Sequence, residues 1–139
     1  MRNGSAAGST RRILDTNLLV YQHDSYDREK QARANQVVWR ASAAYGTAVT
    51  NQVLADFASI VIRPRRQLLP PGQASAQIER LARQFVVLDV TGACVIEALR
   101  GVSVHQLAFR EALIWAVARL NQVAVILTED LRGAARHSR

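Results

Sequence analysis

Two rhythms alternate along this chain. Short, mostly apolar runs at Ile13-Leu14, Phe85 to Val90 (broken at Asp89) and Ala124 to Leu127 have the length and β-type content of strands, and longer stretches between them repeat apolar residues at helical spacing. The first run breaks at Asp15-Thr16-Asn17, which reads as a strand end leading directly into a helix from Leu18 to His23. A longer helix follows, with Asp27 as N-cap and Ala34, Val37 and Val38 on its apolar stripe; it ends near Tyr45, before Gly46. Thr47 to Thr50 reads as a short strand, and Gln52 to Ile62 as a helix stopped by Pro64. Leu68 to Gln73, with Pro70-Pro71-Gly72, reads as a loop, after which Ser75 caps a helix to Gln84. Thr91 starts another helix ending near Gly101, and Leu107 to Asn121 makes a last long one.

Strands alternating with helices at this spacing predict parallel βαβ units. The expected fold is α/β: three α/β/α layers around a central parallel sheet of four to five strands. Val86-Val87-Leu88 and Val123 to Leu127 are apolar throughout, as strands covered on both faces should be. No apolar run follows Asp130, so the final edge strand is expected to be missing and residues 134–139 to form a basic tail. Residues 1–10, rich in Gly, Ser and Ala, are expected to be a disordered extension, which leaves residues 11–133 as one domain.

Composition narrows the classes. With 139 residues, 49% of them hydrophobic, the chain is suited to a single core, and it holds no apolar stretch of bilayer length and no long apolar leader. A soluble cytoplasmic protein with no membrane partner is expected. The single Cys94 excludes an internal disulfide and a thiolate metal cluster, and it reads as a small buried side chain. Net charge is +7, almost all of it arginine because Lys30 is the only lysine, and such an excess favours a polyanionic partner. Arg63, Arg65, Arg66 and Arg132 are candidates for phosphate contacts, although a solvated surface or an arginine-biased genome explains them equally well.

Against this basic background four acids stand inside apolar segments: Asp15, Asp56, Glu111 and Asp130. Each has an ordinary explanation by itself. Asp15 can cap the helix after the first strand, Glu111 can complement the macrodipole of its helix, and Asp56 can be a surface charge. Asp15 and Asp130 nevertheless follow strands, and the functional crevice of such a sheet lies at the carboxyl ends of its strands. Gathered together, four carboxylates would resist ionisation without a counter-charge. Mg²⁺ or Mn²⁺ supplies one through oxygen ligands, and an all-acidic site on a basic protein suggests phosphodiester hydrolysis by a metal-activated water. Thr16, Asn17, Thr128 and Glu129, at the same strand ends, are placed to orient the carboxylates.

The segment Ile13-Leu14-Asp15-Thr16-Asn17-Leu18-Leu19-Val20-Tyr21 resembles the opening signature of PIN-domain nucleases, specifically VapC-like ribonuclease toxins. The likeness continues in Gln52 to Phe57, Phe109 to Ile114 and Leu127 to Leu131, in the family's order and spacing. It implies a Mg²⁺-dependent endoribonuclease, usually a homodimer, whose RNA cleavage is neutralised by a cognate antitoxin. It further implies that Asp15, Asp56, Glu111 and Asp130 are both catalytic and metal-binding. An antitoxin helix is expected near the second and third helices, around Val37, Val38, Trp39, Ile60 and Ile62, bringing a basic side chain to the acids.

Two of the four positions depart from the family pattern. Asp56 stands where the family mostly has Glu, and Glu111 where it mostly has Asp, so each carboxylate is displaced by one methylene, on the order of an ångström. Ala108 replaces the hydroxyl residue that often caps the third motif's helix, a change worth about 1 kcal/mol. These departures and the short C-terminus define the alternative, a catalytically silent module, degenerate or truncated, that binds nucleic acid or an antitoxin. A phosphorylatable receiver domain also puts acids at strand ends, but it needs a lysine near the last strand, and Lys30 lies far earlier. His23, His105 and His137 show no metal-ligand or nucleophile spacing.

Overall fold

The computed structural model describes residues 10–128 and the backbone of residues 135–137. The expected disorder of the N-terminal extension, and the side chains of Glu129, Asp130 and Arg132, lie outside the described residues. Among the described residues, five strands and six α-helices follow one another as β1 (Arg12–Leu14), α1 (Thr16–Tyr21), α2 (Arg28–Ser42), β2 (Ala48–Thr50), α3 (Asn51–Val61), α4 (Pro71–Gln84), β3 (Val86–Leu88), α5 (Gly92–His105), α6 (Phe109–Leu120), β4 (Val125–Leu127) and β5 (Ala135–His137).

Local chemistry sets most of these boundaries. The Asp27 carboxylate accepts from the Lys30 amide, the Thr50 hydroxyl from Val53 and the Thr91 hydroxyl from Cys94, so each satisfies an amide that its helix cannot. Helix α4 begins earlier than the pattern suggests. Pro71 opens it, because proline at the first helical position gives up no needed donor, so Pro70-Pro71-Gly72 is an entry rather than a loop. Helix α5 runs past Gly101 to His105 and stops where Gln106 turns left-handed, at φ 55°. Gly101 continues the helix for a tertiary reason. A Cβ there would sit 2.7 Å from the Trp115 ring, so α5 and α6 pack together only because it has none.

The sheet order is β3-β2-β1-β4-β5, with the first four strands parallel and β5 antiparallel to β4. The chain therefore builds from β1 through β2 to β3, then crosses back to lay β4 on the other side of β1. The switch in strand order falls between β1 and β4, which pair at Ile13↔Ile126 and Leu14↔Leu127. Their inner positions, from Ile13 and Leu14 to Val125, Ile126 and Leu127, are buried and join Leu18, Phe57, Leu81 and Val117 in the core. Among the described residues, no helix is long and apolar enough to cross a membrane.

Two expectations about the sheet edges are corrected. Val86 and Val87 of β3 are exposed, not covered on both faces, because the strand order makes β3 an edge. At the opposite edge the expected missing strand is present: Ala135–His137 lies beside β4 with Val125↔His137 and Leu127↔Ala135 in register, inside the segment read as a basic tail. Backbone pairing with a central strand needs no apolar run, which is why the hydrophobic pattern does not show it.

The arginines after α3 divide in use. Arg63 and Arg65 are exposed, but Arg66 reaches the buried Asp24, with its Nη2 3.2 Å from both carboxylate oxygens, and stacks over the Tyr26 ring. Asp24 also accepts from the Tyr26 amide, so this cluster ties the α1–α2 loop to the 3₁₀ turn Pro64–Arg66. Arg66 is therefore a structural anchor of this turn. Asp24→Ala should lower stability by about 1 kcal/mol in urea titration, because the Arg66 guanidinium and the Tyr26 amide lose their shared acceptor, whereas Arg65→Ala should stay within about 0.5 kcal/mol.

Candidate active site

The carboxyl end of β1 delivers Asp15 at the switch point. Its amide donates to the Leu127 carbonyl of β4 at 2.9 Å, which fixes the backbone between the two strands, and its Oδ1 accepts from the Thr16 amide at 2.7 Å. Asp15 is thus the N-cap of α1, as one reading of the sequence held, and it also lines a cleft. Capping and ligation are compatible, since a carboxylate has several lone pairs.

The cleft encloses about 330 Å³. Asp15, Thr16 and Asn17 from the start of α1, Gln52, Val53 and Asp56 from α3, Arg110 and Glu111 from the first turn of α6, and Thr128 after β4 all line it. Its floor is apolar, formed by Ile126, Leu113, Ile114 and Trp115. Three of the four acids singled out in the sequence therefore face one space, although 41 and 55 residues of chain separate Asp15 from Asp56 and Asp56 from Glu111. Asp130, the fourth, lies two residues beyond Thr128 and outside the described residues, as does Glu129. Thr16 and Thr128 are buried at the cleft wall, where their hydroxyls can orient neighbouring carboxylates.

Asp56 is held at both oxygens. The Gln52 amide, one helical turn earlier, donates to Oδ1 at 3.0 Å, and Arg110 Nη2 approaches Oδ2 at 3.4 Å. Glu111 sits in the first turn of α6, where the macrodipole favours its charge, while Ala108 supplies no side-chain cap, as the sequence indicates. Among the described residues no three His, Cys, Asp or Glu side chains are drawn together closely enough to hold an ion. The donor chemistry still suits a hard divalent cation, since the charged acceptors facing the cleft are all carboxylates.

The sequence reading left several lining residues without a role. Gln52 and Trp115 gave no signal, because an amide and an aromatic at helical spacing read as surface and core. Arg110 adjoins Glu111, yet its pairing crosses from α6 to α3 and has no sequence signature. Arg63, Arg65 and Arg66 do not line the cleft; Arg110 does. His23, whose imidazole meets the Phe57 ring edge-on, is held below its ordinary pKa of 6.5 by burial and by the nearby Arg80 charge, and it too lies outside the cleft. Trp115 closes the cleft from below and carries Arg100 and Arg119 over its ring, with Glu97 bridging the two guanidinium groups. Those contacts hold the Glu97 carboxyl below its usual range, the Arg100 hydrogen bond being the largest cause.

The PIN domain family model matches residues 12–138, and the chain belongs to that family. Its fold is shared by VapC20 of Mycobacterium tuberculosis, described as a sarcin–ricin loop cleaving toxin: TM-score 0.67 and 19% identity over 88% of this chain and 94% of that one. It is shared also by VapBC2 of Rickettsia felis, solved bound to a DNA fragment from its promoter, with TM-score 0.62 and 14% identity over 88% and 89% of the two chains. No curated protein sequence matches it. The three-layer architecture with parallel strands β1 to β4 is thereby the PIN fold, as its motifs implied.

Proposed function

We propose that this protein is a divalent-metal-dependent endoribonuclease that hydrolyses RNA phosphodiester bonds and acts as the toxin of a toxin–antitoxin pair. The observation that carries the reading is that Asp15, Asp56 and Glu111 line one cleft at the strand-order switch of a PIN-family sheet. Asp130, just past the β4 end, completes the proposed set. The likeness to a sarcin–ricin loop cleaving toxin supports the RNA class, and the likeness to a VapBC pair supports an antitoxin partner.

Asp15, Asp56, Glu111 and Asp130 are the residues that would hold Mg²⁺ or Mn²⁺. Such an ion supplies Lewis-acid polarisation of the phosphate and a lowered pKa for the attacking water. The chain's own groups do the positioning. Thr16, Asn17 and Thr128 orient the carboxylates, with Glu129 expected to assist from its place beside Asp130 in the sequence, Gln52 holds Asp56, and the apolar floor limits the water that competes for the site. The net charge of +7 draws the RNA backbone toward a surface whose cleft would otherwise repel it.

A cytoplasmic location, a homodimer and a cognate antitoxin belong to the same proposal. Of the residues expected to receive an antitoxin helix, Val38 is buried, Val37, Ile60 and Ile62 are partly buried against the core, and Trp39 is exposed at 72%. The testing experiment is cleavage of a structured RNA by purified protein in EDTA, Mg²⁺ and Mn²⁺. Endonucleolytic products with either ion and none in EDTA are expected. RNA binding without cleavage at any ion concentration would favour the silent-module reading instead.

A further inference from the structure

Arg110 stands in an electrostatically poor place. It is the second residue of α6, where the helix dipole repels a cation, and Ala108 offers no capping side chain to offset it. Its guanidinium compensates by reaching across to α3 and pairing with Asp56 at 3.4 Å. Asp56 is thereby engaged on both oxygens by groups of its own chain, Arg110 on Oδ2 and Gln52 on Oδ1.

Asp56 lines the same cleft as Asp15 and Glu111, so the three carboxylates together give the cleft a negative field that favours a cation. Among the described residues lining the cleft, Arg110 is the arginine available to supply it. We propose that Arg110 is an internal counter-ion, occupying Asp56 while the cleft is cation-free and competing with the divalent ion for that carboxylate. The inference rests on the metal-dependent reading above and adds a competitor to it. A guanidinium against Oδ2 and a divalent ion on the same carboxylate repel each other, so the two compete for Asp56 even though it has lone pairs to spare. Loading through Asp56 is therefore opposed by Arg110 until the arginine withdraws, and its side chain, 67% exposed, has the freedom to do so. The pair thus sets the cation concentration at which the cleft fills.

The test is Mn²⁺ binding by calorimetry on RNA-free full-length protein, in wild type, Arg110→Ala, Asp56→Asn and the double variant. Arg65→Ala serves as a control that removes the same charge from an exposed position away from the cleft. Because the pair is partly solvated, Arg110→Ala should tighten Mn²⁺ about two- to fivefold. Arg65→Ala should leave the affinity unchanged. In the Asp56→Asn background, removing Arg110 should give no further tightening, since the contested carboxylate is gone. Equal affinity in wild type and Arg110→Ala, or the same gain from Arg65→Ala, would overturn the counter-ion role while leaving metal binding intact. No Mn²⁺ binding by any of the proteins would overturn the metal-dependent reading itself, and this inference with it.

Discussion

Asp15→Ala should remove the proposed RNA cleavage, by at least about 100-fold, while the protein remains folded. Loss of groups that merely orient a metal ligand typically costs 10- to 100-fold, so loss of a proposed ligand at the centre of the cleft should cost at least as much. The same substitution also deletes the α1 cap, since Asp15 Oδ1 accepts from the Thr16 amide. That loss is worth about 1 kcal/mol, or roughly 4 °C in Tm for a domain of this size. Asp15→Ser separates the two roles, because a serine hydroxyl caps a helix but does not replace a carboxylate. Thermal melts should show Ser close to wild type and Ala lower, while cleavage assays show both inactive. Recovery of cleavage in the serine variant would reduce Asp15 to a helix cap.

Gly101→Val is the substitution expected to do most damage to the fold around the site. In an ordinary helix interior, replacing glycine is favourable because the backbone loses less entropy on folding. Here a Cβ would meet the Trp115 ring at 2.7 and 2.8 Å, and Trp115 is itself buried, between α5 and the cleft floor. The ring must move or the helices must part. Overpacking of this kind costs about 3 kcal/mol, which outweighs any propensity gain and lowers Tm by roughly 12 °C. Gly92→Ala is the matched control: nothing lies within 4 Å of a Cβ there, so its melt should not fall. Displacement of Trp115 should also lower cleavage, because Trp115 forms part of the cleft that Asp15, Asp56 and Glu111 line.

The exchanged lengths at Asp56 and Glu111 gain a setting from the structure. The short Asp56 is steadied by Gln52 from its own helix and by Arg110, while Glu111 enters the cleft from the first turn of α6. Charge is retained on both walls of the cleft, and reach is redistributed between them.

Two helix starts were legible in the sequence because their caps are a local matter: Asp27 and Thr91 each bond an amide three residues on. Thr50, read as the end of a strand, also caps its helix, whereas Ser75, read as a cap, lies inside α4 because Pro71 opens that helix earlier. The α/β architecture was equally legible, because apolar runs of strand length alternate with helical periodicity, and so were the acids, because a carboxylate inside an apolar segment is costly unless it serves something. Other features depend on groups that meet only after folding. Gly101 does not end α5 because a ring 14 residues later fills the space beside it. Strand β5 forms from a basic segment because β4 offers backbone partners, and β3 is exposed because the strand order leaves it at an edge. Residue types and local spacing determined that this chain makes a PIN-type sheet with acids at its strand ends. Tertiary structure alone decided that Arg110 lies on Asp56 and that Arg66 is spent on Asp24, since the energy of a charge depends on which opposite charge the fold brings within reach.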